Sequence, residues 1–196
     1  VCERIVESLF PVGDTGRIPL VCAVSRPDES VDCLPMAELL AVKFGRIGVA
    51  GSRGLYVGER RLKRTPQATL AGTRAVLLHP EVDAAVVERS VSGIRLDGLG
   101  FDYCDVAVIL GFPALPSEED LRALRVLVGA VSARGHIVTD IPESLLLALG
   151  LAGDSRVVRV KDGEVTGRPT VVAATVAQAM GVSPEGIHEH LSSFTG

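Results

Sequence analysis

The strongest constraint on the fold is a set of unbroken apolar runs separated by segments of helix length. Ile18–Val24 (IPLVCAV), Ala84–Val87 and Asp105–Leu110 (DVAVIL) carry β-branched residues with no polar alternation, and His136–Thr139 (HIVT) is a shorter run of the same kind. Strands written this way are buried on both faces. Between them, Thr65-Pro66 opens a helix expected to run to Leu78 and stop before Pro80. Ser117-Glu118-Glu119-Asp120 reads as a capping box, followed by an apolar face of Leu121, Leu124, Val128 and Val131. Ser183-Pro184-Glu185 caps a last helix with Ile187, Leu191 and Phe194 on one face. The alternation predicts an α/β fold: a mostly parallel sheet with helices on both faces, in three layers. Gly54–Leu62 and Arg156–Val165 read as small hairpins, the second turning at Asp162-Gly163. No repeat, low-complexity segment or internal linker interrupts the pattern. Residues 1–16 are expected to form a lead-in helix and linker, and residues 17–196 one domain.

Composition narrows the function classes. A chain of 196 residues, 47% hydrophobic and 22% charged, has the apolar content to fold, with roughly 70% of its unfolded surface buried. The net charge of −4 disfavours a nucleic-acid partner, which needs a basic surplus, and 4% aromatics with no Trp leave few stacking platforms. Four cysteines without a CxxC pair point to a reducing compartment. The densest apolar run, Leu145 to Ala152, is far short of the ~18 residues that cross a bilayer. The expectation is a cytoplasmic protein with no membrane partner. The opening on Val1 and the close on Phe194-Thr195-Gly196 suggest part of something longer.

In open α/β sheets the ligand site lies beyond the carboxyl ends of the strands, so the loop after Val24 is the first place to look. A phosphate-binding loop would carry glycines there and a Lys near the helix start. The residues are Ser25-Arg26-Pro27-Asp28-Glu29-Ser30-Val31-Asp32, with neither. Asp28, Glu29 and Asp32 put negative charge where phosphates would sit, and like charges ~4 Å apart repel by about 4 kcal/mol at an effective dielectric of 20. The alternative reading is an acidic helix start that complements its own dipole.

Three stretches resemble the central domain of the Mur-ligase family, most closely its cyanophycin-synthetase branch. Leu9-Phe10-Pro11 and Gly16-Arg17-Ile18-Pro19-Leu20 resemble the family's approach to its phosphate loop. The segment from Glu88 to Asp105 (ERSVSGIRLDGLGFDYCD) resembles its "ETARGGILREGLGFDxCD" segment, and the stretch from Pro169 to Gly196 resembles its alanine-rich ending. The resemblance implies a P-loop-like fold and ATP- and Mg²⁺-dependent chemistry: a carboxylate is phosphorylated, then attacked by an amine to give an amide. It also implies an ATP-grasp half before this region and a third domain after it. The family's Gly-Lys-Thr falls on Glu29-Ser30-Val31, so the phosphate loop at Ser25, Glu29 and Ser30 is degenerate. Its metal-binding Glu falls on Glu88, and a motif Arg on Val91. Its "NxxxDHLG" segment falls on residues 111–118, where Asn, Asp and His are gone. Its "LNADDP" segment falls on residues 139–144, with Asp140 for the Asn and Glu143 for the second Asp.

Two functions follow as expectations. The first is a catalytically degenerate domain acting as a scaffold or binding module, within a longer chain or beside an active ligase. The second is an ATP-dependent acid–amino-acid ligase domain completed by other domains or a partner chain, with Glu88 as metal ligand. Glu88 also has a plain reading, as a strand-end carboxylate hydrogen-bonded to loop amides. Arg60-Arg61-Leu62-Lys63-Arg64 is a basic cluster that reads as a charged hairpin edge, or as a contact for phosphate or an anionic polymer. His188 and His190 are two apart on a helix and face different ways, and His79 ends a helix before Pro80. Cys104 reads as a small core residue, and no GxSxG elbow occurs.

Overall fold

A computed structural model describes residues 16–26, 30–160 and 168–193; the expected lead-in helix lies outside them. The strands are β1 (Leu20–Ser25), β2 (Ile47–Gly51), β3 (Gly54–Val57), β4 (Arg60–Lys63), β5 (Ala84–Ser90), β6 (Cys104–Ile109), β7 (Val131–Thr139) and β8 (Val157–Arg159). The helices are α1 (Leu34–Phe44), α2 (Leu70–Leu77), α3 (Val91–Asp97), α4 (Glu118–Ala130), α5 (Glu143–Ala148), α6 (Arg168–Ala179) and α7 (Pro184–Ser193). The strands form one sheet in the order β4-β3-β2-β5-β1-β6-β7-β8. All neighbours pair in parallel except β3, which runs antiparallel to β2 and β4.

The apolar runs divide their side chains between two cores, one per face. Cys22, Val24, Ala85, Val87, Ala107 and Ile109 point to one side, where Val76 of α2, Ile94 of α3, Leu124 of α4 and Leu145 of α5 cover them. Val21, Ala23, Val86, Val106 and Val108 point to the other, beneath Met36 and Leu40 of α1, Ala173 and Val176 of α6 and Ile187 of α7. The three-layer α/β arrangement is the one the sequence predicts.

Boundaries moved where local chemistry competed. Ile18 and Pro19 precede β1, although the Pro19 carbonyl still accepts from Ala85 N–H at 2.9 Å. The helix expected from Thr65-Pro66 begins at Leu70, because Thr69 takes the cap: its Oγ1 accepts from Gly72 N–H at 3.1 Å. Gln67 meanwhile donates its N–H to Gly51 O at 2.8 Å, tying residues 64–69 across the end of β2. The hairpin expected over Arg156–Val165 is corrected in its first half: Val157–Arg159 pairs with β7 in parallel, while the turn at Asp162-Gly163 lies outside the described residues. Val131, assigned by pattern to the helical face, starts β7 instead. The register then shifts from Cys104↔Val131 to Val106↔His136, so residues 132–135 bulge from the strand.

The hairpin of β3 and β4 forms as expected. Gly54 opens it at φ 126°, and a Cβ there would stand 2.2 Å from the Lys63 carbonyl oxygen, so only glycine fits. The capping box forms in full: Ser117 Oγ accepts from Asp120 N–H at 3.0 Å and Asp120 Oδ2 from Ser117 N–H at 3.3 Å. Ser117→Ala is therefore expected to lower stability by about 1 kcal/mol, read as a lower urea midpoint at unchanged slope.

Candidate functional site

The chain leaves β1 for β2 on one side through α1 and reaches β6 on the other, so the carboxyl end of β1 is the crevice of this sheet. Pro27, Asp28 and Glu29 lie outside the described residues. Of the remaining loop, Arg26 Nη1 donates to Gly111 O beyond β6 at 3.3 Å, and Ser30 is exposed.

The centre of the site is Glu88. It sits on β5 in register with Ala23 of β1 and is 1% exposed. Its Oε1 accepts the N–H of Val31, at 3.2 Å, and its Oε2 accepts the N–H of Ser52, at 2.6 Å. One carboxylate thus holds the loop after β1 and the turn between β2 and β3. Gly51 makes room for it, since a Cβ there would lie 3.2 Å from Oε2.

Asp32 acts in the same way one step along. Its Oδ1 accepts from Leu34 N–H, the first amide of α1, at 3.2 Å, and its Oδ2 pairs with Arg53 Nη2 at 3.0 Å. Pro35 supplies no N–H, so neither of the first two residues of α1 offers an amide to an anion. The expected acidic helix start is corrected in position. The first turn of α1 carries no acidic residue, and Asp32 lies just before the Cys33 cap.

Cys33 is buried at this corner. Burial pushes its thiol well above the ordinary range, and the nearby charges of Glu88 and Asp32 push it further, so it stays protonated. Burial pushes the Cys22 thiol well up also, and that of Cys104, on β6 as expected, to about 12. None is poised as a nucleophile.

Asp140 and Glu143 are engaged too. Asp140 Oδ1 accepts from Gly111 N–H at 2.9 Å, and Glu143 Oε2 pairs with Arg159 Nη2 at 2.8 Å. His79 lies just past the end of α2, its Nδ1 accepting from Glu81 N–H at 3.2 Å, while His188 and His190 lie on α7. Among the described residues no group of three or more His, Cys, Asp or Glu side chains could hold a metal. Mg²⁺ requires near-octahedral oxygen ligands, and a single carboxylate whose two oxygens already accept N–H bonds does not fit it.

Sequence reasoning gave no role to Arg89, the next residue of β5, which is 0% exposed on the opposite face of the sheet. Its Nη2 donates to Gly93 O at 3.1 Å and Gly98 O at 2.6 Å, spanning α3, while Nε and Nη1 have no partner. Burial pulls its pKa down, opposed by the negative charge of Asp97. The signal was present, as a second charge beside Glu88 in a strand that opens on four apolar residues. At the far, amino ends of the strands lies a cleft of about 570 Å³ lined by Arg17, Leu77, Phe101, Tyr103 and Ser132, with the Arg17 guanidinium 4.7 Å from the Tyr103 ring centre.

The fold is that of a Mur-ligase-like central domain. It is similar to cyanophycin synthetase of Crocosphaera subtropica (strain ATCC 51142 / BH68), 25% identical over 157 residues, and to that of Synechocystis sp. (strain ATCC 27184 / PCC 6803 / Kazusa), 24% identical over 157 residues. Each match takes in 76% of this chain, which spans only 18% of the length of either relative. No family model matches. Among solved structures, a UDP-N-acetylmuramoyl-L-alanyl-D-glutamate–2,6-diaminopimelate ligase superposes with TM-score 0.56 at 14% identity, over 83% of this chain and 35% of its own. A bifunctional folylpolyglutamate synthase/dihydrofolate synthase with Mn, AMPPNP and L-glutamate bound gives TM-score 0.51 at 18% identity, over 89% and 57%. These likenesses define the fold. Among the described residues no helix is long and apolar enough to cross a membrane.

Proposed function

We propose that this chain is a catalytically degenerate Mur-ligase-like central domain that serves as a scaffold or binding module, in the cytoplasm, within a longer chain or beside an active ligase. One observation carries the reading. The backbone amides of Val31, Leu34 and Ser52, which line the crevice, are held by the chain's own carboxylates, Glu88 and Asp32. A phosphate brought there would have to displace them and would meet negative charge instead of a lysine. Catalysis of phosphoryl transfer depends on positive charge around the moving group, and the aligned Ser30 supplies none. The substitutions at residues 29–31 and 111–118 support the same reading.

The test is calorimetric titration of the 196-residue chain with ATP in the presence of Mg²⁺. The expected result is no saturable heat at affinities tighter than about 1 mM; a micromolar Kd overturns the proposal. The second reading is an amide-forming ligase domain that uses ATP and Mg²⁺ once other domains or a partner chain complete it. It is favoured by Glu88, which stands near the carboxyl end of β5 where the family's metal ligand falls. ATP turnover by the longer protein that is lost on Glu88→Gln would select it.

A further inference from the structure

The chain as a whole is acidic, yet one edge of its sheet is strongly basic. Residues 51–64 contain Arg53, Arg60, Arg61, Lys63 and Arg64 against the single carboxylate of Glu59. They build β3 and β4, and β4 ends the sheet, with all four of its residues exposed. Arg53 is neutralised by Asp32. Arg60, Lys63 and Arg64 form no ion pair with any described residue. Arg61 is held in place. Its Nη2 donates to the carbonyls of Arg53 and Arg64, at 2.6 and 3.3 Å, and its guanidinium carbon lies 5.4 Å from the Tyr56 ring centre.

We propose that this edge is a docking surface for an acidic, extended peptide segment of another protein. Three cations on one short strand and a fourth, Arg64, just past its end, with Arg61 preset by backbone carbonyls, offer charge-assisted hydrogen bonds to carboxylates spaced along an extended chain. A second copy of this chain does not fit, because apposed β4 strands would set like charges against one another. The pairing of β4 to β3 also shifts register beside Leu62, which spoils the edge for a neutral strand addition and leaves charge as the source of specificity. Nucleic acid fits less well. The strand is only about 13 Å long and offers fewer cations than the six to ten phosphate contacts of a typical complex. The inference is independent of the phosphate-loop reading: ATP binding would overturn that one and leave this standing.

The experiment uses the 196-residue chain and a short fluorescein-labelled peptide of alternating Asp and Glu, followed by anisotropy at low and high salt. The expected result is saturable binding that high salt abolishes and that Arg60→Gln/Lys63→Gln/Arg64→Gln weakens about tenfold. These side chains are exposed, and an unchanged circular dichroism spectrum checks that the variant folds. Independently, the peptide should slow amide exchange in β4 of the unaltered chain. Equal binding to the triple variant, no saturation below about 1 mM, exchange unchanged in β4, or tighter binding of a single-stranded RNA of the same length would each overturn the proposal.

Discussion

Replacing Arg89 by alanine is expected to lower stability by about 4 kcal/mol, a fall of about 10 °C in melting temperature for a domain of this size. Three losses combine. The side chain is wholly buried, so truncation leaves a cavity between β5 and α3. The carbonyls of Gly93 and Gly98 lose a cationic donor, and Gly98 lies just past the end of α3, where a cation complements the dipole. Arg89→Met separates volume from charge. It keeps the length of the stem and removes an ion whose Nε and Nη1 are buried without partners, so it is expected to cost no more than about 1.5 kcal/mol. Urea denaturation of both variants decides the point. If methionine proves as damaging as alanine, the hydrogen bonds dominate. If alanine is nearly neutral, Arg89 is not buried as described.

Glu88→Ala is expected to cost about 3 kcal/mol, because it strips the acceptor from two amides on separate loops. Glu88→Gln should fall between alanine and the parent. Its amide oxygen can accept one of the N–H groups, but its NH₂ would face the other, donor against donor. The comparison also discriminates between roles. A brace stabilises the protein with a chelator present, so the loss should be the same with EDTA as with Mg²⁺. A loss that appears only when Mg²⁺ is added would mark Glu88 as a metal ligand and sink the brace account.

The layers of the fold were legible because they rest on residues that leave little choice. DVAVIL between a glycine-rich segment and a capping box has no helical period, and the observed β6 lies within one residue of it. What escaped were elements decided by neighbours. β2 contains two glycines, and Gly48 is needed because Val76 and Val82 press on it; propensity alone argues against a strand there. Helix α1 has an apolar face but begins at Leu34-Pro35, behind a Cys33 cap with no side-chain hydrogen bond, so the usual start signal is weak. At the site, the missing lysine and glycines could be read from sequence. The partners of Glu88 could not, since Ser52 is 36 residues away and Val31 is 57. Only the parallel register of β1, β2 and β5 brings those three segments together.

The register also sets how the rim of the sheet can move. The loop after β1 and the turn after β2 would breathe separately if each were held only by its own strand. Joined through one buried carboxylate, neither can lift without breaking its own bond to Glu88 and exposing that charge. Opening at Val31 and opening at the Ser52 turn are therefore coupled through the same buried charge.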